Sequence, residues 1–492
     1  MNPSPAGAGA ALVRATRRLR ESLPEDRVLI HPDRLATYQS DGLLHYRVPP
    51  GVVVLPDTAD EVRLAVRILS EEGVPVVARG SGTGLSGGAV PVEGGAVIAL
   101  SRLRRVLDVD LDSERVVVEP GVTNLSVSGA VGPTHVYPPD PSSQVVCSIG
   151  GNVAENSGGA HCFKYGFTTN YVLGLDVVLG NGDEVRLGGE ELDRPGYDMV
   201  GAFVGSEGTL GVVTRVILRV VPVPETFRTL VAYFDSTDHA GRAVSDIVAA
   251  GIVPGAIEMM DNLAIRACEA ATGAGYPLDA GAALVVELDG PHEECEALFG
   301  RVTELCDANG AIGIRVARDA AERDLIWKAR KAAFAAMGRV AADYYVQDGV
   351  IPRTSLSEVL ARIEELSGEY GLPVANVFHA GDGNLHPLVC YDGAVAGQAE
   401  AAAELAGRIL AACVDAGGSI TGEHGVGLDK RDAMPLMFAD ADLDAFHRLR
   451  CAFDPDGRVN PGKVMPTPRL CGEVPGPYRR HPLEEAGAAE RF

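Results

Sequence analysis

The sequence predicts an α+β fold with two main domains. A chain of 492 residues is too long to fold around one compact core. The first part of the chain mixes short strands and helices without a regular βαβ alternation. After Pro222, strands alternate with Ala- and Glu-rich helices, a pattern typical of an antiparallel sheet, and we expect the helices to cover one face of it.

The first part begins with an Arg-rich amphipathic helix over 11–23 and a short strand over 51–56. The motif Thr58-Ala-Asp-Glu61 is typical of a capping box, so we expect a helix from there to about residue 72. A strand over 74–78 leads directly into a glycine-rich loop. Further strands are expected over 115–119, near 177 and over 211–218.

The segment Pro222-Val-Pro-Glu225 interrupts this pattern and marks the predicted boundary between the two parts. The second part has predicted strands over 230–234 and 284–288, and predicted helices over 355–370 and 397–416. Gly371 and Gly417 follow these two helices, in the position where glycine commonly ends a helix.

Composition and charge exclude several classes of protein. Hydrophobic residues make up 46% and charged residues 22% of the chain, as in ordinary globular proteins. The net charge of −24, from 43 basic and 67 acidic residues, argues against nucleic acid or an anionic membrane as the main partner. An acidic substrate stays compatible with it, because the local field of a site need not follow the total charge.

The cysteines are scattered and form no C-x-x-C motif, which argues against an iron–sulfur cluster or a zinc ribbon in this chain. Their odd number, nine, is typical of a reducing cytosol. Arg17-Arg18 is followed by polar residues, so we reject a twin-arginine signal. No run of eighteen uncharged apolar residues predicts a membrane span. We therefore expect a cytoplasmic protein.

A glycine-rich loop, Arg79-Gly-Ser-Gly-Thr-Gly-Leu-Ser-Gly-Gly88, follows the strand over 74–78. Glycines allow backbone N–H groups to approach phosphate oxygens closely. The loop has no Gly-Lys-Ser/Thr ending of a P-loop. A G-x-G-x-x-G spacing runs through Gly82, Gly84 and Gly87, but no acidic ribose ligand follows it. Taken alone, it is either a structural turn or a phosphate cradle.

Three further polar, glycine-rich segments favour the phosphate cradle: Pro138–Pro141, Ser148–Asn152 and Gly205–Gly211. Together with the first loop, this ordered set resembles the FAD-binding domain of the vanillyl-alcohol oxidase superfamily. The resemblance implies a FAD that is bound non-covalently, because the first loop has no histidine to tether it. The implied FAD contacts are Arg79, Gly80, Ser81, Gly82, Thr83, Gly84, Pro139, Asp140, Ser143, Gly150, Gly151, Asn152, Glu207, Gly208, Thr209, Gly211, Val212 and Asn460.

A second group of polar residues lies in the segments 379–386 and 422–425. Two histidines and a glutamate are a common ligand set for a divalent metal, and the remaining histidine would be free to act as a base. A turn at 381–383 would bring His379 and His386 to one ion. Glu423 and His424, as neighbours on extended backbone, would point in opposite directions.

Two alternatives stay open for this group from the residues alone. In the first, the histidines are buried side chains held by hydrogen bonds, and no metal is bound. In the second, Asp382 is a further metal ligand, although an aspartate in this position more often stabilises the turn itself. Zinc, manganese and iron all suit nitrogen and oxygen ligands.

The second part, with Asn460-Pro-Gly-Lys463, resembles the C-terminal domain of FAD-linked 2-hydroxy-acid dehydrogenases, and the resemblance covers about residues 20–470. It implies that His379, His386 and Glu423 bind the metal and that His424 is the catalytic base. Arg330, in Trp327-Lys-Ala-Arg330, takes the role of the residue that binds the substrate carboxylate. From spacing alone Arg330 would be an exposed helix charge.

The substrate is expected to be a small monocarboxylate. Relatives that oxidise dicarboxylates have a lysine where this chain has Val346 and Gln347, and a small hydroxyl residue in place of Phe334. An apolar wall disfavours a second carboxylate, since burying an unpaired charge is costly. The segment 348–352, His386-Pro387 and the final Glu-Arg-Phe most resemble the glycolate oxidase branch of the family.

The implied reaction is oxidation of glycolate to glyoxylate, or of D-lactate to pyruvate. The implied partners are an iron–sulfur subunit and a second FAD-domain subunit, with quinone or cytochrome as electron acceptor and peripheral attachment to the inner membrane through these partners. A stand-alone D-lactate dehydrogenase is the main alternative. A FAD-binding subunit without turnover and a metal-dependent hydrolase are weaker ones.

The resemblance also divides the chain. We expect a two-part FAD-binding domain and a C-terminal domain with an antiparallel sheet flanked by helices. The expected bounds are 1–45 for an N-terminal helical segment, 46–224 for the FAD-binding domain, 225–450 for a substrate- and metal-binding cap domain, 451–470 for a return to the FAD-binding domain and 471–492 for a tail.

Overall fold

The computed structural model describes residues 5–43, 45–191 and 196–466, so the predicted tail lies outside the described residues. The elements of the first part of the chain follow in order. They are α1 (Pro5–Ser22), β1 (Val28–Leu29), α2 (Pro32–Leu35), β2 (Val52–Val54), α3 (Ala59–Glu71), β3 (Val76–Arg79), β4 (Ala96–Ala99), β5 (Val106–Asp110), β6 (Arg115–Val118), α4 (Asn124–Val131), β7 (His135–Val136), α5 (Ile149–Glu155), α6 (Cys162–Tyr165), β8 (Val172–Val178), β9 (Glu184–Gly188), α7 (Met199–Phe203), β10 (Val212–Arg219) and β11 (Val221–Pro222).

The second part contains longer strands and helices. They are β12 (Thr226–Phe234), α8 (Thr237–Ala249), β13 (Ala256–Asp261), α9 (Asn262–Thr272), β14 (Ala282–Gly290), α10 (His292–Ala308), β15 (Ala311–Val316), α11 (Ala320–Lys331), α12 (Ala333–Ala336), β16 (Asp343–Val346), β17 (Gly349–Val350), α13 (Leu356–Tyr370), β18 (Val374–His379), β19 (Asn384–Leu385), β20 (Pro387–Tyr391), α14 (Gln398–Asp415) and α15 (Asp440–Phe453). Among the described residues, no helix has the length and apolar character of a membrane span.

The first sheet has the order β1-β2-β4-β3, in which β2, β4 and β3 are parallel. Thr58 caps α3 by accepting the backbone N–H of Glu61, which confirms the predicted helix start. A late segment completes this sheet, because Val459 pairs with Val76. A segment near the end of the described chain therefore packs against the first sheet.

The second sheet is antiparallel, with the order β5-β6-β10-β8-β9. Helices α4, α5 and α7 bury apolar side chains against it, among them Val127, Ile149 and Phe203. The loop before β10, which holds Glu207, is fixed close to α5, because the backbone N–H of Glu207 donates to the carbonyl of Ala154 in that helix.

A nine-stranded sheet forms the core of the second part, and its strand pairs are antiparallel. The expectation of helices on one face is wrong. Leu230 and Phe234 pack with α8, α10, α13 and α14 on one side, while Val231 and Tyr233 pack with α9, α11 and α12 on the other. Successive side chains of a strand point to opposite faces, so a strand that is apolar at every position is covered on both sides.

A buried polar network joins the two parts. Glu287 on β14 accepts hydrogen bonds from Arg323 and Trp327, and its carboxylate lies 3.5 Å from Nε2 of His161. Nδ1 of His161 lies 2.9 Å from Asp140. His161 therefore connects the segment after β7 to the large sheet of the second part.

Candidate active site

A cavity of about 730 Å³ lies between the two parts of the chain. Its wall includes thirteen of the residues predicted to contact FAD: Arg79, Gly80, Ser81, Gly82, Thr83, Gly84, Ser143, Gly150, Gly151, Asn152, Glu207, Gly208 and Gly211. Glu423 and His424 from the second part also line it. The structure thus brings the glycine loops and part of the histidine cluster to one cavity.

Side chains would not fit at Gly80 and Gly82 of the first glycine loop, because a Cβ there would clash with neighbouring atoms. With glycine at these positions, the backbone of the loop can approach a ligand closely. A Cβ at Gly80 would fall 2.1 Å from Oγ of Ser148, and Gly82 has a φ of +70°. The guanidinium of Arg79 is used inside the protein, where Nη1 donates to the carbonyl of Ser40 at 2.7 Å. Arg79 therefore shapes the loop, and backbone N–H groups are left as the donors for phosphate.

The second glycine segment forms the start of α5. Ser148 caps this helix by accepting the N–H of Gly151. Oδ1 of Asn152 accepts a hydrogen bond from Asn124, and its Nδ2 donates to Sγ of Cys147. The Asn152 side chain is thus committed to the protein, and Gly150 and Gly151 are the residues that expose backbone to the cavity.

Five of the residues predicted to contact FAD are not part of the cavity wall: Pro139, Asp140, Thr209, Val212 and Asn460. Asp140 pairs with His161, and Thr209 donates to the carbonyl of Ser206 in its own loop. Asn460 donates to the carbonyls of Gly88 and Glu207. These side chains hold the loops of the cavity in place.

The histidine cluster comes together through the tight turn after β18. Gly383 donates its N–H to the carbonyl of His379, and Asp382 accepts the N–H of Asn384 at 3.1 Å. Asp382 thus has the turn-stabilising role that the sequence favoured. As a result, the rings of His379 and His386 lie 5.1 Å apart.

The three predicted metal ligands converge on one point. Nε2 of His379 and Nε2 of His386 each lie 3.4 Å from Oε1 of Glu423. Both nitrogens lack a hydrogen-bond partner among the described residues. Ligand atoms at about 2.0–2.2 Å from a tetrahedral ion stand about 3.4 Å from one another. The donor set and its spacing therefore fit a divalent ion.

The charges at this point also favour a cation. The pKa of Glu423 is lowered to about 2, because the nearby imidazoles outweigh the effect of burial. Burial alone would lower the pKa of His379, yet the carboxylates of Glu258 and Glu423 raise it well above its ordinary value. A ring that attracts a proton so strongly also attracts a metal ion, so a proton and a metal ion compete for Nε2 of His379.

A second group of possible ligands, Asp348, His386 and His424, lies next to the first. Asp348 has little capacity left for a metal, because it accepts the backbone N–H groups of Gly422 and His424 and the ammonium of Lys430. Burial opposes the charge of Asp348, but Lys430 and the histidines hold its pKa well below the ordinary value. We therefore assign Asp348 to holding the loop over 421–424.

His424 stacks on His386, with the ring centroids 5.0 Å apart and the planes 4° apart. The expectation that Glu423 and His424 point in opposite directions from extended backbone is wrong, since both reach His386. The reason is that Asp348 gathers the N–H groups over 422–424 into a turn. Burial lowers the pKa of His424 to about 4, so its ring is neutral at neutral pH and able to accept a proton.

Arg330 is 3% exposed and is not the exposed helix charge that its spacing alone suggested. Its Nη2 forms a close ion pair with Oε2 of Glu258, at 2.5 Å, but neither Nη2 nor Nε makes a hydrogen bond to another described residue. Glu258 itself was missed from the sequence. The signal was present, since Glu258 is a single acid within the apolar run Ala256-Ile-Glu-Met-Met260.

Phe334 and Val346, the two positions expected to disfavour a second carboxylate, are apolar parts of the cavity wall. Phe334 packs 5.8 Å from the ring of His386, and Val346 is 7% exposed. Both line the cavity. Lys331 lines it too, with Nζ 3.9 Å from Asp140.

Comparison with known protein families identifies both parts of the chain. Residues 50–188 match the FAD binding domain, and residues 223–464 match the C-terminal domain of FAD linked oxidases. Solved structures with the same fold include p-cresol methylhydroxylase, with a TM-score of 0.77 over 92% of this chain and 97% of that one, at 18% identity. They also include 4-ethylphenol oxidase from Gulosibacter chungangensis, with a TM-score of 0.78 over 95% and 98% of the two chains, at 19% identity.

Curated relatives cover nearly the whole chain. Glycolate oxidase subunit GlcD of Escherichia coli is 47% identical over 96% of this chain and 95% of that protein. Its namesake in Bacillus subtilis is 38% identical, with coverage of 87% and 92%. D-lactate dehydrogenase of Archaeoglobus fulgidus is 32% identical, with coverage of 84% and 91%. The chain thus belongs to the FAD-linked oxidases of the vanillyl-alcohol oxidase superfamily, and it is a FAD-dependent 2-hydroxy-acid oxidoreductase.

Proposed function

We propose that this chain oxidises a small 2-hydroxy monocarboxylate, glycolate to glyoxylate or D-lactate to pyruvate, where Glu423 and His424 line the cavity. The observation that carries the proposal is the convergence of two unpartnered imidazole nitrogens on one oxygen of Glu423, among the described residues. His424, a half-buried imidazole whose pKa is lowered to about 4, stands beside them. The names of the relatives, glycolate oxidase subunit and D-lactate dehydrogenase, support the substrate class.

We assign His379, His386 and Glu423 as the ligands of a divalent ion, with zinc, manganese and iron all suited to this donor set. A divalent ion lowers the pKa of a hydroxyl group next to it and orients that group. The chain fixes the ligands in advance, since Asp348 holds the loop with Glu423 and the turn at Asp382 holds both histidines.

We assign one residue to each of two substrate groups, the carboxylate and the α-hydroxyl. Arg330 binds the carboxylate, because a guanidinium offers paired, charge-assisted hydrogen bonds and its Nε is unpartnered among the described residues. His424 removes the proton of the α-hydroxyl as general base, a role that its low pKa permits. FAD, which the glycine loops would hold non-covalently, would supply the acceptor for the hydride of the α carbon.

The absence of C-x-x-C motifs from the sequence supports a partner for electron transfer. We propose that the chain works in a glycolate oxidase complex with an iron–sulfur subunit and a second FAD-domain subunit, attached peripherally to the inner membrane and reducing quinone or cytochrome. Two relatives are named as glycolate oxidase subunits. A stand-alone D-lactate dehydrogenase is the second candidate, supported by the name of the Archaeoglobus relative.

The test is an anaerobic titration of the purified chain, in which its visible spectrum is recorded after each addition. We expect flavin bands that bleach on addition of glycolate or D-lactate and remain unchanged on addition of a 2-hydroxy dicarboxylate. A chain that holds FAD but bleaches with neither monocarboxylate would contradict the proposal. Bleaching by D-lactate alone, with full dye-linked activity and no co-purifying iron–sulfur subunit, would select the second candidate.

A further inference from the structure

Glu258 lies between the residue assigned to the substrate and a residue assigned to the metal. It is in the middle of β13 and is 1% exposed. Oε1 lies 2.7 Å from Nδ1 of His379, and Oε2 lies 2.5 Å from Nη2 of Arg330. One buried carboxylate thus uses one oxygen for each neighbour.

The contact with His379 determines which ring nitrogen is available. A carboxylate at Nδ1 keeps a proton on that nitrogen, so the lone pair of the neutral ring is on Nε2. Nε2 is the atom that lies 3.4 Å from Glu423. A carboxylate behind a ligating histidine also fixes the ring orientation and raises its basicity. Glu258 therefore prepares His379 to donate to a cation.

The contact with Arg330 orients the guanidinium and balances its charge. Arg330 is on α11 and His379 is at the end of β18, and both contact Glu258. Ala329 and Trp327, on the same helix, are buried as well, which leaves the helix little freedom to move. The position of the guanidinium thus depends on the same carboxylate as the tautomer of His379.

We propose that Glu258 is a positioning residue that fixes the metal ligand His379 and the substrate-binding Arg330 together, so that retention of the metal and binding of the substrate carboxylate are linked. This inference rests on the proposed function. The simpler alternative is that Glu258 only neutralises the buried Arg330. The two roles differ in what they predict for metal binding without substrate.

The experiment measures Zn²⁺ affinity of the full FAD-loaded chain, by competition with a chromophoric chelator and without substrate. We expect Glu258→Gln to weaken Zn²⁺ binding about 10–100-fold, the usual cost of losing such a partner, and to raise KM as well. Arg330→Met should raise KM and leave Zn²⁺ affinity near that of the wild type. Glu258→Asp restores the charge and should recover part of the Zn²⁺ affinity.

Glu287→Gln is the matched control. Glu287 is also a fully buried carboxylate on a neighbouring strand of the same sheet, but its partners are Thr229, Arg323, Trp327 and His161. This variant should lose stability and keep Zn²⁺ affinity, with the flavin spectrum reporting that each variant is folded. If Glu258→Gln does not fold because Arg330 is left unpaired, the double variant Glu258→Gln/Arg330→Met takes its place, since it leaves no unpaired buried charge. A Zn²⁺ affinity in the double variant equal to that of Arg330→Met overturns the inference.

The outcomes separate this inference from the proposed function. If the wild type binds Zn²⁺ and Glu258→Gln binds it equally well, Glu258 has no part in holding the metal and only the inference fails. If the wild type binds no Zn²⁺, and His379→Ala turns over at the wild-type rate, the metal-assisted reaction itself is contradicted.

Discussion

The carboxylate of Glu207 accepts the backbone N–H of Val426 at 2.7 Å, across 219 positions of sequence. Its other oxygen accepts the N–H of Gly427. Glu207 lines the cavity between the two parts of the chain, and Val426 follows shortly after His424, the proposed base. The loop that carries His424 is therefore attached directly to a loop of the cavity wall.

Glu207→Gln should loosen this attachment, because an amide would present its NH₂ group to a backbone N–H. Hydrogen bonds to a buried charged group contribute about 1.5–3 kcal/mol, so we expect a lower thermal midpoint and a lower kcat with FAD still bound. Thr214→Val is the control, since the buried Thr214 on β10 donates to the carbonyl of Asp176, within the second sheet. A wild-type kcat and midpoint in Glu207→Gln would show that the attachment is unimportant.

His424→Ala should retain FAD and metal and lose about 10²–10⁴-fold in kcat, the usual contribution of a general base. The pKa of His424 is lowered to about 4, chiefly by burial, and the base works in its neutral form. We therefore expect kcat/KM of the wild type to be flat near neutral pH and to fall as the pH decreases toward that value. Stopped-flow measurement of flavin reduction checks the rate loss of the variant and the pH dependence of the wild type. Full turnover by the variant would remove His424 from the mechanism.

Val346→Lys should change the substrate preference. A lysine at this buried wall position would have no partner with glycolate but would pair with the distal carboxylate of D-malate. Since a charge-assisted hydrogen bond contributes about 1.5–3 kcal/mol, we expect the ratio of kcat/KM for D-malate over glycolate to rise roughly tenfold or more. Val346→Met, which is long but uncharged, should leave the ratio unchanged; an equal rise there would point to cavity shape alone.

His161 should stabilise the protein in a pH-dependent way. Burial opposes its charge, but Asp140 and Glu287 raise the pKa of His161 to about 10, above the unfolded value of about 6.5. The stabilisation is thus complete below about pH 6.5 and is lost as the pH rises through about 10. His161→Gln should cost about 3 kcal/mol at about pH 6 and much less near pH 10.

The thermal midpoint of the wild type and of this variant, measured between about pH 6 and pH 10, checks that expectation. His31→Gln is the control, because the His31 side chain is 68% exposed. A gap between wild type and His161→Gln that stays constant with pH would show that the contacts of His161 do not depend on its charge.

Much of the fold was predictable because its signals are local. The cap at Thr58, the strand into His379 and the turn at Asp382 each depend on neighbouring residues, and each is present. The second helix layer was not predicted, although Leu230-Val-Ala-Tyr-Phe234 is apolar at every position. Such a continuous run indicates a strand covered on both faces, whereas alternation of strands and helices along the chain does not say how many faces are covered.

The candidate site was predictable where a motif is contiguous and unpredictable where it depends on tertiary contacts. Glu423 and His424 are adjacent in sequence, but the turn that directs both toward His386 is made by Asp348, in a distant segment. The pair of Glu258 with Arg330 likewise forms only when β13 and α11 pack together. The predicted domain boundaries at 45, 224 and 450 stay predictions.

The contact between Asn460 and Gly88 spans 372 positions of sequence. Asn460 also donates its backbone N–H to Val76, and Lys463 donates to Val90. A ribosome must therefore synthesise almost the entire described chain before the glycine loop has its supporting side chains. Cofactor capture by the complete cavity is consequently a late event in the biogenesis of this protein, and nascent chains that end before residue 460 should retain FAD poorly.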